Sequence, residues 1–166
     1  MTKFKVRDGT TRVIEFEGER LAEVSSRRSG SPRWTELRLY RTQSGVFVLE
    51  KIGASVVLHA PGCPEILPGA TLPRFEAEYP GQDPADDSWW WCETCGEQAA
   101  QDITSLLIEQ NRFWAIISET PDEIVDSLYR RKGGARTMPR MSLVLLEDAA
   151  KSSPEILDSY RSEVLI

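Results

Sequence analysis

The sequence predicts an α+β fold, in which an antiparallel β-meander in the N-terminal part is followed by helices that pack on one face of the sheet. Apolar and polar residues alternate over residues 3–58, which is the period of β-strands. After Gly96 the apolar residues recur instead at the three- and four-residue spacings of a helix. Strands that come first and helices that come afterwards are the order of an α+β domain.

The length of 166 residues is that of one ordinary domain. We therefore predict a single domain over residues 1–166, made of a β-meander (1–59), a proline-rich loop with a Cys/His cluster (60–95) and a mainly helical part (96–166). The composition, 40% apolar and 28% charged, is that of a folded chain. The net charge of −6 argues against a protein that coats duplex DNA over its whole surface.

Turn signals between alternating runs predict the meander. Phe4 and Val6 precede a turn at Asp8-Gly9, and a second turn at Glu17-Gly18-Glu19 separates two short strands. A surface loop without periodicity, at residues 25–32, precedes the clearest hairpin of the chain. The further strands are expected at residues 13–16, 20–24, 34–41 and 46–51, and a last apolar run spans 55–58.

Residues 60–88 are rich in proline and glycine and end in an acidic run at 83–87. A loop of this length is uncommon inside a compact domain unless something ties it down. We expect the Cys/His cluster to tie it down.

The second half of the chain is predicted to be mainly helical. A helix over 97–111 has its apolar residues on one face, and the apolar run 113–117 is expected to rejoin the sheet as a strand. Thr120-Pro121-Asp122-Glu123 has the pattern of a capping box, and it starts a helix that Gly133-Gly134 ends. Two more helices are predicted, at 139–151 and from Ser153-Pro154-Glu155 onward.

Four residues with soft ligand atoms form two pairs, His59-x3-Cys63 and Cys92-x2-Cys95. Zinc prefers four nitrogen or sulfur ligands in a tetrahedron, and a C-x-x-C-G knuckle supplies two thiolates from one tight turn. Gly96 is expected to let the backbone fold beneath the metal. Because four protein ligands close the coordination shell, the sequence predicts a structural zinc site. The alternative is that His59 and Cys63 are simply packed and that the knuckle binds nothing.

The same knuckle has a redox interpretation. The segment Trp91-Cys92-x-x-Cys95, which precedes a predicted helix, is similar to the thioredoxin active-site turn, where the helix dipole lowers the pKa of the first thiol. A βαβ unit should then precede the cysteines, whereas the first 88 residues predict a meander. Thiol-disulfide chemistry at Cys92 and Cys95 is therefore the alternative function.

Two further segments are candidates for contact with a partner. Trp89, Trp90 and Trp91 cannot all face one way in a strand, so at least one points away from the local core and could anchor a partner protein. The basic segment 130–140 carries five cations and could grip phosphates of a nucleic acid or an acidic partner, although such loops are usually only solvated. Those cations are Arg130, Arg131, Lys132, Arg136 and Arg140.

One family resemblance rests on three runs of residues. The runs 16–23 and 37–48 resemble the strand region of the actinobacterial proteins named for a C-terminal E-x-L-D-I motif, and Glu155-Ile156-Leu157-Asp158-Ser159 is similar to the motif itself. Ser159 stands where the motif has isoleucine. The resemblance implies a small cytoplasmic bacterial protein and implies no catalytic residue.

These patterns lead to one predicted function. No apolar run approaches the roughly 20 residues that span a bilayer, so we expect a cytoplasmic protein without a membrane association. We predict a non-enzymatic binding or assembly protein, stabilised by a structural zinc, that contacts a protein partner. A nucleic-acid partner at segment 130–140 and self-association are both compatible with the sequence.

Overall fold

The computed structural model describes residues 1–164, and the side chains of Lys132 and of residues 162–164 lie outside the description. The strands are β1 Thr2–Asp8, β2 Arg12–Ser25, β3 Arg33–Thr42, β4 Phe47–Ser55, β5 Val57–His59, β6 Trp90–Trp91, β7 Leu107–Ile108, β8 Arg112–Ser118, β9 Arg130–Lys132 and β10 Ala135–Thr137. The helices are α1 Phe75–Glu78, α2 Gly96–Gln101, α3 Pro121–Ser127, α4 Arg140–Ala150 and α5 Pro154–Val164. Among the described residues, no helix is both long enough and apolar enough to cross a membrane.

The chain divides into two compact units. The first, which we call the sheet unit, comprises Met1–Arg27, Thr35–Gly53 and Arg112–Ile166. The second, which we call the cysteine unit, comprises Arg28–Trp34 and Ala54–Asn111. That residues 1–166 behave as a single domain stays a prediction.

The sheet unit contains a five-stranded sheet in the order β1-β2-β3-β4-β8. The four N-terminal strands form the predicted meander, and β8 joins the sheet antiparallel to β4, as expected for residues 113–117. Helices α3, α4 and α5 pack on one face, where the buried Leu39 and Phe47 meet Ile124, Leu146 and Ile156. The predicted α+β architecture, with helices on one face of an antiparallel sheet, is therefore confirmed.

The opposite face of the sheet carries an aromatic cluster around Tyr40. The rings of Phe4 and Phe16 lie 4.8 Å and 5.4 Å from that of Tyr40. The Tyr40 hydroxyl donates to the buried Glu50 carboxylate at 3.2 Å. Burial raises the pKa of Tyr40 to about 12, and the negative charge of Glu50 adds to the rise.

Gly18 does not lie in a turn, so the prediction of two short strands before residue 25 is wrong. It pairs with both Thr2 and Thr42 in the interior of the long strand β2. A Cβ at this position would lie 2.2 Å from the carbonyl oxygen of Arg41. The glycine therefore serves a close approach of two strands, a role that glycine in a strand often has.

The predicted helix over 97–111 is also wrong, because α2 begins at Gly96 and already ends at Gln101. The Asp102 carboxylate accepts hydrogen bonds from the hydroxyls of Thr104 and Ser105, at 2.8 Å and 2.7 Å. Such side-chain bonds compete with the helical backbone. The apolar residues that follow then form β7, which pairs with β5 in the cysteine unit.

The basic segment 130–140 begins as the hairpin β9–β10, whereas the sequence predicted a loop. Gly133 and Gly134 have φ angles of 59° and 82°, as a type I′ hairpin turn requires. Helix α3 ends earlier, at Ser127, so the glycines turn the hairpin and do not end the helix. The predicted capping box does not form. The Glu123 carboxylate accepts a hydrogen bond from the Ser118 hydroxyl at 2.7 Å, and the Thr120 N–H group, which the box would have used, donates to that same hydroxyl.

Candidate metal centre

The four predicted ligands come together because two distant strands pair in parallel. In the cysteine unit β6 runs alongside β5, with Trp91 opposite Leu58. The Cys92 N–H group extends this pairing and donates to the Leu58 carbonyl at 2.9 Å. Residues that follow parallel strands emerge at the same edge. His59, at the end of β5, and Cys92, just after β6, consequently lie side by side.

A Pro-Gly turn brings Cys63 back towards His59. The Cys63 N–H group donates to the Ala60 carbonyl at 3.2 Å, which closes a four-residue turn with Pro61 and Gly62 in its centre. Gly62 has a φ of 79°, a left-handed conformation. Proline followed by glycine is the preferred pair for a type II turn. The short H-A-P-G-C segment thus folds one pair of ligands locally.

The second pair sits on the turn that leads into α2. The backbone N–H groups of Thr94 and Cys95 donate to the Cys92 sulfur, and the Ala60 N–H group donates to the Cys95 sulfur at 3.2 Å. Gly96 is the first residue of the helix, and a Cβ there would lie 3.7 Å from Trp91, which is ordinary contact. The expectation that Gly96 is needed beneath the metal is therefore wrong.

The ligand atoms of His59, Cys63, Cys92 and Cys95 all lie within 4.8 Å of one another, and all four residues are buried. The Cys63 and Cys92 sulfurs are 3.9 Å apart. Two thiolates at about 2.3 Å from one tetrahedral zinc would be about 3.8 Å apart. A disulfide would need about 2.05 Å, and all three cysteines are free thiols. The separation is compatible with two ligands of one ion.

One ring nitrogen of His59 is hydrogen-bonded, and the other is left available to bind a metal ion. Its Nε2 lies 2.8 Å from a carboxylate oxygen of Glu109 and therefore carries the proton. Its Nδ1 is buried and has no hydrogen-bond partner among the described residues. An unsatisfied buried polar atom costs about 1–3 kcal/mol. A metal ion between this nitrogen and the thiols would satisfy it, so the residues present fit a metal.

Glu109 is itself fixed by Arg33. The guanidinium makes two bonds to the carboxylate, at 2.6 Å and 2.8 Å. Burial opposes the ionisation of Glu109, but the bonds from Arg33 and His59 outweigh it and lower its pKa to about 2. The carboxylate stays charged and holds the imidazole in one orientation, as outer-shell partners of metal-bound histidines do.

The thiols differ in their readiness to ionise. Burial disfavours the charged form of Cys92, but the N–H groups of Cys95 and Thr94 and the neighbouring thiols lower its pKa to about 7. Burial raises the pKa of Cys95, and the charge on Cys92 adds to the rise despite the N–H group of Ala60. The cluster thus supplies the Cys92 thiolate readily, whereas a bound cation would be needed to favour the charged form of Cys95.

The three tryptophans differ in exposure. Trp89 is half-buried, with its ring edge-on to Phe75 at 4.8 Å, and Trp91 is also half-buried. Trp90 is 40% exposed. It lines a cavity of 350 Å³ together with Arg33 and Cys92. Trp90 is accordingly the tryptophan that could meet a partner.

The cations of the basic segment lie in the sheet unit. Arg130, Arg131, Arg136 and Arg140 are exposed, while the side chain of Lys132 lies outside the described residues. The Arg136 guanidinium lies 3.9 Å from the centre of the Tyr129 ring. It also pairs with Asp126, so this arginine is already engaged within the protein.

Sequence reasoning missed the two residues behind His59. Glu109 fell inside the wrongly predicted helix, and Arg33 lay between the predicted loop 25–32 and the predicted strand 34–41, so neither could be placed at the site. The Pro61-Gly62 turn, in contrast, has a local signal that would have predicted the closeness of His59 and Cys63.

Comparison of the chain with protein-family models, with curated proteins and with solved structures finds no match. The run from Glu155 to Ser159 that resembles the E-x-L-D-I motif lies in α5, where Glu155 pairs with Arg41 at 3.0 Å. The relation to that family stays a prediction.

Proposed function

We propose that His59, Cys63, Cys92 and Cys95 hold a structural zinc ion and that the protein is a non-enzymatic binding or assembly protein. The observation that carries the zinc proposal is the buried set of one imidazole and three thiols, together with the unsatisfied Nδ1 of that imidazole. Four protein ligands fill the tetrahedron of zinc and leave no position for a substrate. The site is therefore suited to stabilisation.

The ion would stabilise the long proline-rich stretch by tying its two ends together. Cys63 and Cys92 are 29 positions apart and bracket most of the proline-rich stretch. A ligand that binds only the folded unit adds its binding free energy to folding. Reducing conditions keep three thiols available to a metal, which is why a cytoplasmic location belongs to the proposal.

The metal would also position the contact surface. Trp90 lies two residues before the ligand Cys92, in a strand held by β5. Its exposed ring is a rigid aromatic anchor of the kind found at the centres of protein interfaces. We propose a protein as the partner at this surface.

Burial favours this proposal over thiol-disulfide chemistry. Cys92 is 7% exposed and Cys95 is 3% exposed. Reactive thiols usually lie in partly exposed positions, where a disulfide substrate can reach the sulfur.

Metal analysis of the purified protein tests the zinc. We expect close to one zinc per chain, tetrahedral thiolate spectra after cobalt substitution, and loss of both metals in Cys63→Ser and Cys92→Ser. Metal-free protein that folds normally and reduces a model disulfide would refute the proposal in favour of the redox function.

Affinity capture with cross-linking tests the partner. Trp90→Ala should abolish capture, whereas Ile103→Ala, which alters another exposed apolar residue of the same unit, should not. Capture of nucleic acid instead, lost in Arg131→Glu, would show that the partner was wrongly assigned.

A further inference from the structure

The sheet unit has a groove between its sheet and its helices, which we call the sheet groove. Its volume is 370 Å³, at the small end of the range of about 300–1,000 Å³ typical of ligand sites. The sheet side is lined by Leu37, Leu49, Trp114 and Ile116, and the helix side by Leu128 and Met141. The groove can therefore take up a few apolar side chains.

The helices leave part of this apolar face uncovered. Ile116 of β8 lies opposite the buried Leu49 of β4, and Trp114 lies opposite Lys51. Both β8 residues are nevertheless substantially exposed, Trp114 at 44% and Ile116 at 38%. β8 is the last strand of its sheet in the described part of the chain. An apolar strip thus runs from the groove on to an accessible strand.

The groove is positively charged although the protein is acidic. The chain has 26 acidic and 20 basic residues. None of the described residues that line the groove is acidic, whereas Lys51 and Arg130 both line it. Lys51 comes from the sheet, with its ammonium 5.4 Å from the centre of the Trp114 ring, and Arg130 comes from the hairpin. Cations from the sheet and from the hairpin beside an apolar floor favour a ligand with separated negative charges.

We propose that the sheet groove binds a segment of another protein in which apolar side chains are flanked by aspartate or glutamate. Two cations on different elements can each pair with a different carboxylate of a peptide, whereas a small acid has only one carboxylate to pair with. Electrostatic complementarity of this kind gives specificity and accelerates association. The groove consists of residues of the sheet unit alone, so the proposal does not rest on the zinc.

Peptide display against the immobilised full-length protein tests the proposal. We expect enrichment of peptides with at least two apolar residues and a net negative charge. One enriched peptide, carrying a fluorescent label, is then titrated by anisotropy. Binding should weaken with salt, since the screening length falls from about 10 Å at 0.1 M to about 3 Å at 1 M.

A neighbouring pair of variants provides the control. Ile116 and Ile117 are similarly exposed, at 38% and 42%, but adjacent residues of a strand face opposite sides of the sheet. Ile116→Asp should weaken binding about tenfold or more, and Ile117→Asp should leave it unchanged. Lys51→Glu and Arg130→Glu, both at exposed positions, should each weaken it and reduce its salt dependence.

Four results would overturn the proposal. They are the absence of an enriched class, enrichment of basic peptides, equal weakening by Ile116→Asp and Ile117→Asp, and insensitivity to both charge reversals. Peptides whose binding is lost in Trp90→Ala instead would place the contact in the cysteine unit. That result would support the proposed partner surface there and refute the groove.

Discussion

Glu109→Gln is the sharpest test of the metal centre, because it changes no ligand. The substitution keeps the size of the side chain but removes the charge that holds Nε2–H of His59 and receives two bonds from Arg33. The imidazole then loses its charged acceptor and part of its basicity, and its orientation is held less firmly because an amide cannot accept all the bonds from Arg33 and His59. Loss of an outer-shell partner typically weakens metal binding about 10–100-fold, or about 1.4–2.7 kcal/mol. We expect the zinc affinity of this variant to be lower than that of the wild type by a factor within that range.

Competition with a chromophoric chelator at fixed pH measures the difference. The control is Glu97→Gln, which removes the same charge from an exposed position on α2, two residues after the ligand Cys95. If general electrostatic attraction accounts for the affinity, both variants will weaken binding equally. If the hydrogen bond to His59 accounts for the affinity, only Glu109→Gln will weaken zinc binding. Unchanged affinity in Glu109→Gln would show that His59 is not a ligand through Nδ1.

Three further predictions concern backbone geometry and ionisation. Gly62→Ala should lower the free energy of unfolding of the zinc-loaded protein by about 1–2 kcal/mol in urea titrations, because alanine is strained at a left-handed φ. The control, Gly96→Ala at the start of α2, should leave this free energy unchanged or raise it. Gly18→Ala should cost about 1–3 kcal/mol in the same assay, since its Cβ would overlap the Arg41 carbonyl, and an unchanged midpoint would contradict the strand pairing. Absorbance titration should show one tyrosine ionising near pH 12 that is absent in Tyr40→Phe. Because burial raises this pKa, the tyrosine does not affect stability below pH 10, and its ionisation destabilises the fold by up to about 3 kcal/mol as the pH rises through 12.

Local patterns predicted the parts of the fold that depend on near neighbours in sequence. The hairpin of β3 and β4, the helices α4 and α5, and the four candidate ligands each have a signal within about a dozen residues. Glu17-Gly18-Glu19 shows the limit of such patterns, because the same three residues suit a turn and a close approach of strands. Only the pairing of Gly18 with Thr42 distinguishes them.

The metal centre shows a second limit. His59 and Cys92 meet through the parallel pairing of β5 with β6, and β6 is two residues long. A strand of that length has no detectable periodicity. Residues 97–111 had real helical spacing, but Asp102 ended the helix and pairing with β5 took over. Long-range pairing thus placed Glu109 behind His59, and no local signal could have indicated it.

The division into two units leads to a last prediction. The core of the cysteine unit includes Cys63, Cys92 and Cys95 themselves, packed with residues such as Leu58 and Phe75. The metal site and the core of this unit are therefore the same structure, and removal of zinc should unfold the unit and destroy the Trp90 surface. The core of the sheet unit contains no cysteine among its described residues.

Chelation should consequently separate the two binding surfaces. After treatment with EDTA, we expect Trp90-dependent capture to disappear while the anisotropy signal of a groove-binding peptide remains within about twofold of its original affinity, since additivity holds for sites that share no partners. Zinc should restore the capture, and it should not do so in Cys92→Ser. If chelation abolished peptide binding as well, the sheet unit would depend on the cysteine unit for its folding, and the prediction of a single domain over residues 1–166 would gain its first direct support.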